Sequence, residues 1–121
     1  GLLGGIWTKE RIQKSTGGFV PLFFKENIEK NVALVNKLQK IADEKQITVS
    51  QLAFAWMLSK GDDIIPLIGA SRTATFTDSL KSGEVILTED EIKKIEDTIP
   101  ENEISGGSFP VMEFKNGIVV K

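Results

Sequence analysis

From Asn27 onward, Ile28, Val32, Val35, Leu38 and Ala42 recur at intervals of four, three, three and four, with Glu29, Lys30, Lys37 and Lys40 off that line. This is the stripe of an amphipathic helix and predicts one over about 26–45. Thr48-Val49-Ser50-Gln51 is a capping box, in which the Thr side chain accepts from the Gln51 backbone N–H and the Gln side chain reaches back. The helix it opens, through Leu58, is apolar nearly all round, which predicts burial on several sides, and Gly61 ends it. After a Gly-Asp-Asp turn, Ile64-Ile65-Pro66-Leu67-Ile68 is a continuous apolar run, as in a strand covered on both faces. Pro66 sits awkwardly there because it cannot donate to a ladder. A short helix is expected at about 74–82. Thr88-Glu89-Asp90-Glu91 is a second capping box, opening a helix with Ile92, Ile95 and Ile99 inward and Pro100 beyond its end. Residues 1–25, with Gly1, Gly4-Gly5, Gly17-Gly18 and Pro21, show no sustained period and read as loop. The segment from Val111 through Asn116-Gly117 to Val120 carries a hairpin signature.

A single doubly covered strand has nowhere to pair its N–H and C=O groups. The pattern therefore reads as α/β, the end of a larger sheet or barrel rather than a closed fold of its own. With 121 residues the chain is one domain at most. Its opening on Gly1 rather than Met points to a processed or truncated polypeptide.

Composition narrows the chemistry. Lys+Arg number 15 against 17 Asp+Glu, a net charge of −2 with a pI near 5.2, so nucleic acid and anionic membrane are not expected partners. No apolar run approaches the roughly 20 residues that span a bilayer, and no signal-peptide pattern stands at the start. The absence of Cys removes disulfides, thiol nucleophiles and thiolate zinc sites, and makes the cytoplasm the default location. His and Tyr are also absent, which removes the commonest general base, the commonest metal ligand and the phenolic acid. Glu89-Asp90-Glu91 reads as an acidic first helical turn, not a metal site. Phe54 and Trp56, in mid-helix, read as packing residues.

Several segments in register resemble the aldo-keto reductases. Ile65-Pro66-Leu67-Ile68-Gly69-Ala70-Ser71-Arg72 is similar to the family's Ile-Pro-x-x-Gly-(Ala/Thr)-Ser-Arg, which lies on the last barrel strand and the loop after it. Ile68 stands where that family usually has Pro. Thr48 to Trp56 resembles its Thr-Pro-Ala-Gln-Leu-Ala-Leu-Ala-Trp helix. Pro21-x-Phe23-x-x-Glu26-Asn27 with Asn31 follows its Pro-Arg-Phe-x-x-Glu-Asn pattern, with Leu22 in place of Arg. Gly1-Leu2-Leu3-Gly4-Gly5 is similar to the segment after the seventh strand, and Leu87 to Glu91 to a family helix start. The resemblance implies that residues 1–105 are the C-terminal portion of a (β/α)8 TIM barrel, incomplete as a barrel on its own. Such barrels typically take ~250 residues. Residues 106–121 are then a variable tail.

The resemblance also implies a nicotinamide cofactor and a small carbonyl substrate. It excludes the family's Asp, Tyr, Lys and His tetrad, which the earlier strands contribute, so no residue here is assigned a catalytic role. Gly69, Ala70, Ser71 and Arg72 would hold the adenosine end of the cofactor, with Gly1 and Leu3 bordering the pyrophosphate. Gly69 allows close backbone approach, Ser71 offers a hydroxyl, and the Arg72 fork matches a phosphate dianion just before a helix N-terminus. That combination favours NADP(H) over NAD(H). Asp78 and Ser79 stand where the family often has Glu-Asn on the adenine amine, and Ser79 has the shorter reach. Taken without the flanking motifs, the same residues would be an ordinary turn with a solvated Arg. Trp7 and Phe109 are candidates for the substrate pocket.

Two readings of function follow. In one, the chain is part of an NADP(H)-dependent reductase interconverting aldehydes or ketones and alcohols, inactive without the missing N-terminal barrel portion. In the other, it is a non-catalytic module that self-associates or docks on a partner through apolar faces left uncovered.

Overall fold

The computed structural model describes residues 1–14, 20–107, 114–115 and 118–119. The long stripe forms α2, Lys25–Glu44, whose inward face carries Ile28, Leu34, Val35, Leu38, Ile41 and Ala42. The helix ends in a left-handed residue, Gln46 (φ 57°). There the Ile47 N–H donates to the Ala42 carbonyl at 3.0 Å and the Gln46 N–H to that of Asp43 at 3.0 Å, a Schellman closure. The chain turns directly into α3, Val49–Leu58, capped as the sequence predicts: the Gln51 N–H donates to Thr48 Oγ1 at 3.1 Å and the Thr48 N–H to Gln51 Oε1 at 3.1 Å. The second box opens α5, Glu89–Thr98, with the reciprocal bonds of Thr88 and Glu91 at 3.2 and 2.9 Å.

Val35, Leu38, Ile41 and Ala42 of α2, Val49 and Leu52 of α3, and Ile95 of α5 close on one another as the core, with Leu2, Ile47, Trp56, Leu87 and Ile99 packed around it. Ion pairs lace the polar edges of the same helices. Lys45 Nζ lies 2.7 Å from Glu91 Oε1 and Lys94 Nζ 2.5 Å from Glu44 Oε2, while Lys60 pairs with Glu96, which also accepts from the Trp56 indole. Between α3 and α5 runs α4, Thr73–Leu80, continued by a 3-10 turn to Glu84, close to the predicted 74–82.

As expected, α3 is buried on several sides, with Val49, Gln51, Leu52 and Ala55 buried, Phe54 and Met57 half-buried, and Leu58 at its end 39% exposed. Two expectations are corrected. Residues 1–25 are not all loop: Lys9–Lys14 form a short helix, α1. Thr8 Oγ1 accepts from the Arg11 N–H at 3.2 Å, and Ile12 is buried. Six residues are too few to show a period. Second, the doubly covered strand at 64–68 does not form; residues 64–70 have no regular secondary structure. Their side chains nevertheless alternate: Ile64, Pro66 and Ile68 are half-buried, while Ile65 and Leu67 are 91% and 96% exposed. No neighbouring strand pairs with this segment among the described residues; the Ile64 N–H donates instead to the Gly61 carbonyl at 3.4 Å. The described residues form helices and one short ladder.

That ladder pairs β1, Phe114–Lys115, antiparallel with β2, Ile118–Val119. The Asn116-Gly117 turn, Gly17-Gly18 and Phe109 lie outside the described residues. Before the tail, Asn31, 1% exposed on α2, ties down the chain: its Nδ2 donates to the Ser105 carbonyl at 2.7 Å and the Leu22 carbonyl at 3.0 Å, and its Oδ1 accepts from the Ser105 N–H at 2.9 Å.

Candidate functional site

Arg72 is the N-cap residue of α4, with extended backbone (φ −127°, ψ 137°), and its carbonyl accepts the first helical bond from the Phe76 N–H at 3.1 Å. No side chain caps this helix, so its first-turn amides remain free to meet an anion. Arg72 is exposed and makes no ion pair among the described residues. One turn further, Thr75 lines a cleft.

The cleft, of about 500 Å3, runs between the start of the chain, the capped end of α3 and α4. It gathers four of the residues singled out in the sequence: Leu3, Arg72, Asp78 and Ser79. Gly1, Gly69, Ala70 and Ser71 are exposed and do not line it. Leu3 is brought in by its carbonyl, which accepts from Ser50 Oγ at 3.1 Å. Ser79 is buried, and its carbonyl accepts from Ser82 Oγ at 2.6 Å. Asp78 is engaged with α3: Oδ1 accepts from Gln51 Nε2 at 3.0 Å and Oδ2 from Thr48 Oγ1 at 3.3 Å.

Sequence reasoning missed Thr48, Ser50 and Thr75 as lining residues. The capping box located Thr48 and Ser50 but gave them only a role within their own helix. What brings them to the cleft is the crossing of α4, a tertiary event without a local signal.

A second cavity, of about 350 Å3, lies between α1 and α2 and is lined by Trp7, Ile12, Gln13 and Glu29 among others. Trp7 stacks on Phe23 with ring centroids 5.1 Å apart, and the Arg11 guanidinium sits 5.2 Å from the Trp7 ring. The indole Nε1 is buried without a hydrogen-bond partner among the described residues. Trp7 is thus held chiefly by packing. It is remote in sequence from Arg72, and the residues lining this cavity are not those of the cleft beside α4. Among the described residues no His/Cys/Asp/Glu group could hold a metal ion, and no helix is long and apolar enough to cross a membrane.

The profile of the aldo/keto reductase family matches residues 2–100, a stretch that holds both capping boxes, the 64–70 segment and the whole of α4. The chain belongs to the aldo/keto reductase family. It is 37% identical over 90 residues to aldo-keto reductase yakc of Schizosaccharomyces pombe, whose name carries NADP(+). It is 29% identical over 89 residues to a probable aldo-keto reductase 1 of Glycine max. Each match covers 74% of this chain and 26% of the relative, so the chain spans about a quarter of the length of these curated reductases. No solved structure matches it.

Proposed function

We propose that residues 1–105 are the C-terminal part of a (β/α)8 reductase barrel, with 106–121 as its variable tail. On this reading the segment supplies the adenosine 2′-phosphate side of an NADP(H) site. The observation that carries it is Arg72: an exposed guanidinium without a carboxylate partner among the described residues, at the uncapped N-terminus of α4 and on the edge of a cleft. A phosphate dianion fits such a place, because guanidinium donors, free helical amides and the helix dipole all favour negative charge there. Arg72 would bind the phosphate, with the Ser71 and Thr75 hydroxyls and the first amides of α4 as further donors. Gly69 and Ala70 would let the backbone approach the ribose, and Gly1 and Leu3 would border the pyrophosphate. Asp78, held by α3, and the buried Ser79 would shape the adenine end.

In the complete enzyme the bound nicotinamide passes a hydride to an aldehyde or ketone, or takes it back from the alcohol. This chain has no Tyr and no His to move the accompanying proton, so by itself it is expected to reduce no carbonyl compound. Calorimetric titration with NADPH and NADH tests the cofactor reading. NADPH should bind more tightly, and Arg72→Ala should weaken it at least ~tenfold while leaving NADH nearly unchanged, the loss of a charge-assisted hydrogen bond at roughly 1.5–3 kcal/mol. Equal affinities in the parent chain would sink the proposal.

The second reading, a non-catalytic module that self-associates or docks on a partner, is favoured by the exposure of Ile65, Leu67 and Ile86. Oligomers that grow with concentration, together with no affinity for either nucleotide, would select it.

A further inference from the structure

Gln51 links the two walls of the cleft. It is only 6% exposed, and both ends of its amide are used. Oε1 accepts from the Thr48 N–H at 3.1 Å, completing the cap of α3. Nε2 donates to the Asp78 carbonyl at 2.9 Å and to Asp78 Oδ1 at 3.0 Å. Thr48 repeats the arrangement, accepting from the Gln51 N–H at 3.1 Å and donating to Asp78 Oδ2 at 3.3 Å. One capping box therefore grips three oxygens of a neighbouring helix.

That grip matters because α4 itself, before the 3-10 turn at Lys81–Glu84 that packs on α3, buries few side chains. An eight-residue helix is marginal alone, and of its side chains only Ser79 is buried, with Phe76 and Leu80 46% and 53% exposed. Its orientation is set by polar bonds near its C-terminal end, while Arg72 projects from the other end. We propose that Gln51 is a positioning residue for the cofactor: acting through Asp78, it sets α4 so that Arg72 and the first-turn amides face the cleft. The inference rests on the reading of Arg72 as a phosphate ligand.

A cap alone does not require glutamine, since Glu completes the box equally well. Gln51→Glu therefore keeps the start of α3 and removes only the donor to Asp78, setting a carboxylate against a carboxylate and a carbonyl. The test is calorimetric titration with 2′,5′-ADP, paired with hydrogen exchange at the amides of residues 76–80, on the chain and on Gln51→Glu, Asp78→Asn and the double variant. Gln51→Glu should retain its far-ultraviolet helical signal, bind 2′,5′-ADP roughly tenfold more weakly and exchange faster in α4, the size expected for a lost hydrogen bond to a charged group. Asp78→Asn alone should leave α4 protected, because its amide oxygen still accepts from Gln51. The double variant should recover the protection of α4, because the new amide can donate to the new carboxylate; such recovery is the coupling a direct pair shows. Unchanged binding in Gln51→Glu, or a double variant no better protected than it, would reduce Gln51 to a helix cap and overturn the inference. If the parent chain fails to bind 2′,5′-ADP, the phosphate reading falls instead, and the exchange pattern alone decides the link between Gln51 and α4.

Discussion

At the scale of single residues, buried polar side chains carry much of the specificity of this small structure. Asn31 sits on the apolar stripe of α2 and spends its amide on the backbones of Leu22 and Ser105. Asn31→Leu would fit the stripe by hydropathy yet leave those backbone groups unpaired. Thermal or denaturant unfolding should show a loss of about 2–4 kcal/mol, from unsatisfied buried groups at roughly 1–3 kcal/mol each. A loss under half that would mean water replaces the amide. Glu91 makes a different kind of contribution. The hydrogen bond from Lys45, then that from the Thr88 backbone, holds its carboxyl below the ordinary glutamate range. A group depressed on folding adds stability that is fully present above its unfolded value and is lost as pH falls through its folded one. Stability should therefore decline below about pH 4.3, the ordinary glutamate value, and Lys45→Met should flatten that part of the profile. An unchanged slope in the variant would show that the pair contributes nothing on folding.

At the scale of elements, termini were more legible in the sequence than interiors. Both capping boxes were readable because Thr and its partner three residues on satisfy orphan amides locally, whatever the tertiary setting. Thr88→Ala should accordingly cost about 1 kcal/mol, mostly as fraying of α5 in amide exchange. The long stripe of α2 was legible for a similar reason, since twenty residues repeat the period many times. The short α1 was not, and the left-handed Gln46 was invisible because glutamine carries no signal for positive φ. Gln46→Gly should raise stability by up to about 1 kcal/mol, the left-handed penalty of a residue with a Cβ; a drop in melting temperature would mean that the Gln side chain repays its strain. The apolar run at 64–68 reads as a strand, yet no strand forms there. Pairing partners lie outside any local pattern. Of the candidate site, Arg72 and its neighbours are singled out through the resemblance to a family, whereas Thr48, Ser50 and Gln51 read only as helix-start residues.

At the scale of the whole molecule, well-packed core residues stand beside individually bare apolar ones. Leu52, 1% exposed, marks the first: Leu52→Ala should cost about 2–5 kcal/mol and unfold much of the population. Ile65, Leu67 and Ile86 mark the second, at 91%, 96% and 84% exposure. Exposed apolar groups of this size promote association. Sedimentation should show that Ile65→Lys with Leu67→Lys lowers any self-association at unchanged helical content; association that persists would place the contact elsewhere. Pro66 gives that exposed segment a further property. Cross-β stacking requires every residue of a segment to exchange backbone hydrogen bonds with copies above and below, and a ring nitrogen in the middle breaks the register of donors. The imino acid works as a gatekeeper, so crowding of this chain should yield small soluble clusters rather than thioflavin-binding fibrils.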